Sequence, residues 1–164
     1  MIISVVGAGR PTPETEAMAE QVGAELGRRG VTLVCGGGPG VMAAACRGAK
    51  SSGGQTIGIL PGNDPTEANQ WVDFPICTGL GNGRNVVVVK SGRAVIAVGG
   101  FYGTLSEIAL ALDSGIPVVG LGSWELKRGG ELDHGIIVAS SAVDAVEKAL
   151  AAAVVRPAKL MKRY

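Results

Sequence analysis

Residues 31–42 read VTLVCGGGPGVM, an apolar run that breaks into glycine and then resumes with small and apolar residues. The run at 31–35 predicts a buried strand, and residues 41–50 predict a helix rich in small side chains. The glycines at 36–40 predict a tight turn, in which the backbone N–H groups can approach a bound group closely. The segment therefore predicts a strand, a glycine turn and a helix in direct succession.

The same pattern recurs along the chain. The strand at 2–6 leads into Gly7 and Gly9, and a helix follows from Pro13 with Thr12 as its N-cap. Later units predict strands at 56–60, 93–98, 117–121 and 135–139 and helices at 105–113 and from Ser140 or Ser141 to about 153. Successive units of this kind pair their strands in parallel. We expect a three-layer α/β, Rossmann-like fold with a mostly parallel central sheet flanked by helices.

Three stretches are less regular. Residues 71–78 predict a short strand interrupted by Pro75, and residues 122–134 predict a polar excursion. The four valines at 86–89 resemble a strand, but the better strand at 93–98 follows closely. Residues 83–91 are therefore predicted to form a helix buried on most sides.

Composition sets the class of protein. The chain has 164 residues, a net charge of +1 and 46% hydrophobic residues, which predicts one domain over residues 1–153 and a tail over 154–164. The basic residues Lys159, Lys162 and Arg163 are interpreted as a solvated tail, and no patch indicates nucleic-acid binding. No apolar run is long enough for a membrane span and no signal peptide is evident, so a cytoplasmic protein is expected.

Few side chains outside the glycine turns suggest chemistry. Cys35, Cys46 and Cys77 show no paired spacing and are interpreted as small buried residues, and no metal site is predicted. His134 is expected at the surface. Trp71 and Trp124 are expected to pack in the core rather than to stack on a ligand.

Glycine turns follow four predicted strands at their carboxyl ends, which share one edge of a parallel sheet. In chain order the turns are Gly7 with Gly9, residues 36–40, Pro61 with Gly62, and residues 99–103. There the helix N-termini direct unpaired N–H groups at a common crevice near the first and fourth glycine turns, and a phosphate is the natural occupant. The alternative is that the glycines only permit tight turns. The dinucleotide pattern GxGxxG fails because Thr12 replaces its third glycine, and no P-loop pattern occurs.

Two ordered motifs resemble a known family. Residues 36–42, GGGPGVM, and residues 99–107, GGFYGTLSE, are similar to the GGGxxGxM and PGGxGTxxE motifs of the Lonely Guy proteins. Those proteins are cytokinin riboside 5'-monophosphate phosphoribohydrolases, once mislabelled lysine decarboxylases. In its spacing the chain looks more like the sister branch that includes molybdenum cofactor carrier proteins.

The resemblance implies site residues. Arg84 and Glu107 would act on the N-glycosidic bond, and Gly103 and Thr104 would contact the phosphate. The full set of expected phosphate-binding or ligand-binding residues is Gly7, Gly9, Gly36, Gly37, Gly38, Gly40, Gly99, Gly100, Gly103 and Thr104. From the residues alone, Glu107 has a second interpretation, because Thr104 and Glu107 have the spacing of a helix capping box.

Two functions follow from the resemblance. One is hydrolysis of a purine nucleoside 5'-monophosphate, and the other is non-catalytic carriage of molybdenum cofactor or sensing of a nucleotide. No cofactor is required by the first, and the bound molecule expected in the second is a nucleotide or molybdenum cofactor. A homo-oligomer, dimer or tetramer, is implied by the relatives, and the valine-rich helix is the expected interface.

Overall fold

Seven strands form one parallel sheet in the computed structural model, which describes residues 1–155. Its strands are β1 (Ile2–Gly7), β2 (Thr32–Cys35), β3 (Thr56–Leu60), β4 (Phe74–Cys77), β5 (Val95–Val98), β6 (Val118–Leu121) and β9 (Ile136–Ala139). Their order is β4-β3-β2-β1-β5-β6-β9, and every pairing is parallel. The predicted three-layer, Rossmann-like fold is confirmed.

Helices cover both faces of this sheet. They are α1 (Pro13–Arg28), α2 (Val41–Ser51), α3 (Asn85–Ser91), α4 (Tyr102–Asp113) and α5 (Ala142–Val155). Helices α1, α2 and α5 share one apolar core with the sheet, whereas α3 and α4 share the other. The predicted Thr12 cap is confirmed, since its hydroxyl accepts a hydrogen bond from the N–H of Thr15 at 3.3 Å.

The helix α3 is shorter and more exposed than predicted. It begins at Asn85 after a short 3₁₀ turn, Gly81–Arg84. Val88 and Val89 are buried, but Val86 and Val87 are each 36% exposed. The expectation of burial on most sides was wrong, because only one face of this two-turn helix rests on the sheet, where Ser4 Oγ donates to the Val88 carbonyl at 2.8 Å.

The prediction that Cys77 is buried was also wrong, because this residue lies on the edge strand β4. Cys77 lies on β4 and is exposed, whereas Cys35 and Cys46 are buried as predicted, and all three are free thiols. Pro75 is tolerated within β4 because an edge strand needs only one ladder of hydrogen bonds. The sequence did not locate Cys77 at an edge because strand order is set by tertiary pairing.

The polar excursion contains structure that was not predicted. An antiparallel hairpin joins β7 (Leu126–Arg128) to β8 (Glu131–Asp133), apart from the main sheet. His134 follows it and is exposed, as predicted. The expected tail, with Lys159, Lys162 and Arg163, lies outside the described residues except at its start, where α5 continues through Val155. Within residues 1–155 no helix is both long and apolar enough to cross a bilayer.

Candidate functional site

A crevice opens where β1 and β5 lie side by side. From β1 the chain progresses through β2 and β3 toward one edge, and from β5 it progresses through β6 toward the other. At this point the loops that follow β1 and β5 run to opposite sides and leave a crevice between them. Open α/β sheets bind their ligands at such crevices. The cavity is about 250 Å³, and it is lined by Val5, Val6, Gly7, Ala8, Gly9, Arg10, Gly36, Met42, Asn82, Arg84, Asn85, Phe101, Gly103, Thr104 and Glu107.

The structure brings most of the expected site residues together. The lining includes seven of them: Gly7, Gly9, Gly36, Arg84, Gly103, Thr104 and Glu107. The first, second and fourth glycine turns therefore meet at one rim of the sheet. The crevice lies at the first and fourth turns, as expected, and also at the second. The third turn, Pro61–Gly62, does not reach the crevice because β3 lies two strands away from β1.

The remaining five expected residues belong to the same turns but do not line the crevice. They are Gly37, Gly38, Gly40, Gly99 and Gly100. At Gly40, φ is +68°, and an added Cβ would overlap the backbone of Ala8 and Gly9. Because the N–H of Val41 also donates to the Ala8 carbonyl at 3.0 Å, Gly40 allows the second turn to pack directly on the first.

The N-terminus of α4 points into the crevice with its amides uncapped. No side chain caps it, and its first turn contains no acidic residue. Helix α1 differs, since Thr12 caps it and Glu14 and Glu16 stand in its first turn. The positive end of the helix dipole is therefore left for an external anion at α4 but is already neutralised at α1.

The capping-box interpretation of Glu107 was wrong. Helix α4 begins at Tyr102 with Phe101 as its N-cap, three residues before the predicted start near residue 105. Thr104 and Glu107 thus lie inside the helix, and Glu107 cannot reach back to an N-cap amide. Its side chain faces the crevice instead.

Arg84 meets Glu107 on the floor of the crevice. Arg84 Nη1 is 3.6 Å from Glu107 Oε1, and the two side chains are 14% and 9% exposed. This distance permits attraction between charges but exceeds hydrogen-bond range. Arg84 Nε is buried and has no hydrogen-bond partner among the described residues, so the guanidinium keeps donors for a ligand.

Glu107 holds its proton more tightly than an ordinary glutamate. Burial raises its pKa from 4.5 to about 7, and the positive charge of Arg84 partly opposes that rise. Near neutral pH the carboxyl group therefore exists in both protonation states. Such a group is suited to proton transfer or to charge stabilisation in a reaction.

Gly36 supports Arg84 from below. An added Cβ at Gly36 would overlap the Arg84 guanidinium, so the side chain lies directly on the backbone of the second glycine turn. Asn69 holds that turn in shape, since its Nδ2 donates to the carbonyls of Gly37 and Gly38 at 3.2 and 2.9 Å. These contacts fix where the guanidinium sits.

Sequence reasoning missed part of the lining. Arg10, Met42, Asn82, Asn85 and Phe101 all line the crevice. Met42 and Phe101 lie inside the two quoted motifs, Arg10 follows Gly9, and Asn82 and Asn85 lie within two residues of Arg84. That proximity was the available signal. Trp71 and Trp124 do not line the crevice and pack against the two apolar cores, as predicted.

Within residues 1–155, no group of three or more His, Cys, Asp or Glu residues is arranged to hold a metal ion. The chemistry available in the crevice includes that of Arg84, Glu107, Thr104 and backbone amides. These groups can bind an anion and place a carboxyl group beside it.

Comparison with protein families identifies the chain. The model of the SLOG cluster4 family matches residues 1–152. The chain belongs to the SLOG cluster4 family. The two motifs predicted a similarity to Lonely Guy proteins and to molybdenum cofactor carriers. Individual proteins of both kinds match the chain, which confirms that prediction.

Two solved structures are similar over nearly their whole length. The molybdenum cofactor binding protein of Rippkaea orientalis has 36% identity and a TM-score of 0.83, with 92% of this chain and 95% of that chain covered. The molybdenum cofactor carrier protein of Chlamydomonas reinhardtii has 36% identity and a TM-score of 0.82, with 93% and 98% covered. The cytokinin riboside 5'-monophosphate phosphoribohydrolase of Mycobacterium tuberculosis is 32% identical over 132 residues, which are 74% of this chain and 71% of that protein.

Proposed function

We propose that this SLOG cluster4 protein binds a small phosphate ester of a nucleotide or pterin type in the β1–β5 crevice. The phosphate would lie against the first turn of α4, at Gly103 and Thr104, with Arg84 contacting one of its oxygens. The observation that carries this proposal is the buried Arg84 guanidinium, whose Nε has no partner among the described residues, beside an uncapped helix N-terminus. A buried guanidinium whose Nε lacks a hydrogen-bond partner costs free energy that a bound anion would help to recover.

We propose hydrolysis of an N-glycosidic bond as the reaction. Water attacks C1' of the ribose, the C1'–N bond breaks, the base leaves with a proton, and ribose 5-phosphate is the second product. Positive charge develops on the ribose in the transition state, and the ionised carboxylate of Glu107 would stabilise it or orient the water. Arg84 would hold Glu107 in position while contacting the phosphate ester.

Carriage without turnover is the second candidate. It is favoured by the similarity to molybdenum cofactor binding and carrier proteins, which extends over 92% and 93% of this chain at 36% identity. In that case the same crevice would hold a pterin phosphate, and Arg84 would serve binding alone. Neither candidate calls for a resident cofactor in the reaction.

Release of free base from AMP and from an N6-substituted AMP distinguishes the two. A hydrolase should release base in the wild type and lose that activity in Arg84→Ala and Glu107→Ala. If the wild type binds AMP but releases no base above background, the carrier function is supported and the hydrolase function is rejected. Absence of thermal stabilisation by AMP, ribose 5-phosphate and molybdenum cofactor would reject both.

We infer further that the protein works in the cytoplasm as a homo-oligomer. Three free thiols, at Cys35, Cys46 and Cys77, are typical of a reducing compartment. The exposed valines of α3 lie on the sheet face that α3 and α4 cover only in part. The relatives support small-molecule binding as the role of the crevice.

A further inference from the structure

Two aromatic side chains stand exposed where α4 begins. Phe101 is 68% exposed and Tyr102 is 80% exposed. Phe101 lines the crevice, and it is the only aromatic residue to do so in the part of the chain that the structure describes. An exposed aromatic ring at the wall of a ligand crevice is a surface that a flat apolar group can cover.

The turn after β5 places Phe101 at this position. Gly99 and Gly100 have φ values of +54° and +112°, and at Gly100 an added Cβ would overlap the Thr104 side chain. The chain then becomes extended at Phe101, with φ −114° and ψ −159°, before the helix starts. Phe101 is therefore held beside Gly103 and Thr104, where the phosphate is proposed to lie.

Tyr102 is arranged differently although it is the next residue. Its ring packs against Trp124, with centroids 5.9 Å apart and planes inclined by 36°. Neither Tyr102 nor Trp124 lines the crevice. Of these two neighbouring aromatic residues, only Phe101 borders the ligand space, whereas the Tyr102 ring contacts Trp124 outside the crevice.

Two amide side chains also line the crevice. They are Asn82, on the 3₁₀ turn, and Asn85, at the start of α3, and Asn85 Nδ2 donates to Ser106 Oγ of α4 at 3.4 Å. An amide supplies both donors and acceptors, which match the nitrogen and oxygen atoms at the edge of a heterocycle. An aromatic face and amide groups together suit a flat ring that also forms hydrogen bonds at its rim.

We propose that Phe101 is the specificity-determining residue of this site, on which the heterocyclic ring of the phosphate ester stacks. This proposal rests on the proposed phosphate-ester binding. It concerns the heterocyclic ring of the ligand, which Gly103, Thr104 and Arg84 would not contact. The residue pair Phe101–Tyr102 also occupies the point where GGFYGT differs in spacing from the PGGxGT motif. Stacking of a base on an aromatic side chain strengthens binding about 5- to 100-fold.

Calorimetry with three ligands tests the proposal on the full chain. Formycin 5'-monophosphate carries a purine-like ring on a C–C glycosidic bond, so hydrolysis of an N-glycosidic bond cannot consume it. Neopterin monophosphate carries a pterin ring, and ribose 5-phosphate carries none. We expect the wild type to bind one of the two ring-bearing esters at least five times more tightly than ribose 5-phosphate, and the tighter of the two identifies the ring.

Variants at the two aromatic positions provide the decisive comparison. Phe101→Ala should remove most of the preference for the ring-bearing ester, leave ribose 5-phosphate affinity unchanged, and be rescued by Phe101→Tyr. Tyr102→Ala, an equally exposed neighbour, should retain the preference. Equal binding of all three ligands by the wild type, or equal loss in both alanine variants, would overturn the role of Phe101 while phosphate binding stands. If none of the three ligands binds the wild type, the proposed function itself fails.

Discussion

Arg84 Nη1 lies 3.6 Å from Glu107 Oε1, with both side chains largely buried at the floor of the crevice. The pair is close enough for the charges to interact but too far apart to hydrogen-bond. Glu107 therefore keeps a raised pKa despite an adjacent cation, and Arg84 keeps donors for an anion. This incomplete pairing connects the fold to ligand binding, because the geometry of Arg84 depends on the glycine turn beneath it.

The first prediction concerns that turn. Gly36→Ala would place a methyl group where the Arg84 guanidinium now lies. The end of this flexible side chain can move toward the open crevice, so we expect unfolding free energy to change by no more than about 1 kcal/mol. AMP affinity should fall roughly 10-fold or more, as expected for loss of a charge-assisted hydrogen bond. Urea unfolding and calorimetry measure the two quantities.

Gly83→Ala is the matched control for this change. Gly83 directly precedes Arg84, and an added Cβ there would meet only Leu80 Cβ, at an ordinary 3.7 Å. We expect AMP affinity to stay within about twofold of the wild type, since nothing displaces the guanidinium. Equal affinity losses in the two variants would show that the contact between Gly36 and Arg84 does not control binding.

The second prediction concerns pH. Burial raises the pKa of Glu107 to about 7 in the folded chain, against 4.5 for a glutamate side chain in water. At this residue the native state therefore binds more protons than the unfolded state between these values, and the contribution of Glu107 to the free energy of unfolding falls as the pH rises from about 4.5 through 7. The contribution of Glu107 is up to about 3 kcal/mol, fully present below pH 4.5 and lost above pH 7.

Glu107→Gln isolates this effect from other titrating groups. The variant cannot ionise, so the stability difference between wild type and variant should shift by up to about 3 kcal/mol between pH 5 and pH 8, in favour of the variant at pH 8. The attraction between Arg84 and the Glu107 carboxylate acts only when Glu107 is ionised, and the pKa of about 7 already includes it. A difference that does not vary with pH would mean that Glu107 ionises normally.

Much of the fold was accessible from the sequence because local signals agreed with tertiary structure. Each apolar run that ends in glycine became a strand followed by a turn, and residues 56–60 form β3 with the predicted boundaries. The parallel sheet followed from the succession of such units. Once it was parallel, Gly7, Gly36 and Gly103 had to lie on one rim, as they do.

The rest depended on contacts between distant residues. The spacing of Thr104 and Glu107 fits a capping box, but the turn at Gly99 and Gly100 starts α4 earlier and moves Glu107 onto the crevice. Strand order placed Cys77 on an edge and kept the third glycine turn away from the site. A pattern of residues along the chain does not contain these relationships.

The third prediction tests how the second glycine turn is held. Asn69 Nδ2 donates to the carbonyls of Gly37 and Gly38, and its Oδ1 accepts from the N–H of Trp71 at 3.1 Å. Asn69→Ala should lower the free energy of unfolding by about 1–3 kcal/mol, because the Gly38 carbonyl loses its donor. The Gly37 carbonyl keeps the backbone N–H of residue 69, which donates to it at 2.8 Å. Asn69→Ala should also weaken AMP binding, because Asn69 holds the turn that contains Gly36, and Gly36 contacts the Arg84 guanidinium.

Asn69→Asp separates the donor from the acceptor at this position. Aspartate retains an oxygen for the Trp71 N–H but has no side-chain N–H for the carbonyls of Gly37 and Gly38. At pH 7 it should therefore lower the free energy of unfolding at least as much as alanine does. Gln70→Ala, at the exposed neighbour, is the control and should change neither stability nor affinity. Unaltered AMP affinity in a destabilised Asn69→Ala protein would show that the turn does not position Arg84.

The fourth prediction concerns self-association through α3. Val86 and Val87 are each 36% exposed, and Phe74 and Ile76 of β4, on the same face of the sheet, are 53% and 47% exposed. Paired register places Phe74 beside Ile57 and Ile76 beside Ile59, and both isoleucines belong to the core that α3 covers. Exposed apolar residues grouped on one face are typical of an interface, and a stable one covers about 800 Å² on each partner.

Val87→Glu should therefore shift the protein toward monomer in light scattering coupled to size-exclusion chromatography, because a charge buried at an apolar interface is costly. The matched control is Val143→Glu on α5, where a valine is 46% exposed on the other side of the sheet. This variant should leave the oligomer intact. A wild type that is already monomeric at high concentration, or an equal effect of the two variants, would remove α3 as the interface. The crevice would then have to bind its ligand without help from a second copy, and only the residues of a single chain would determine its specificity.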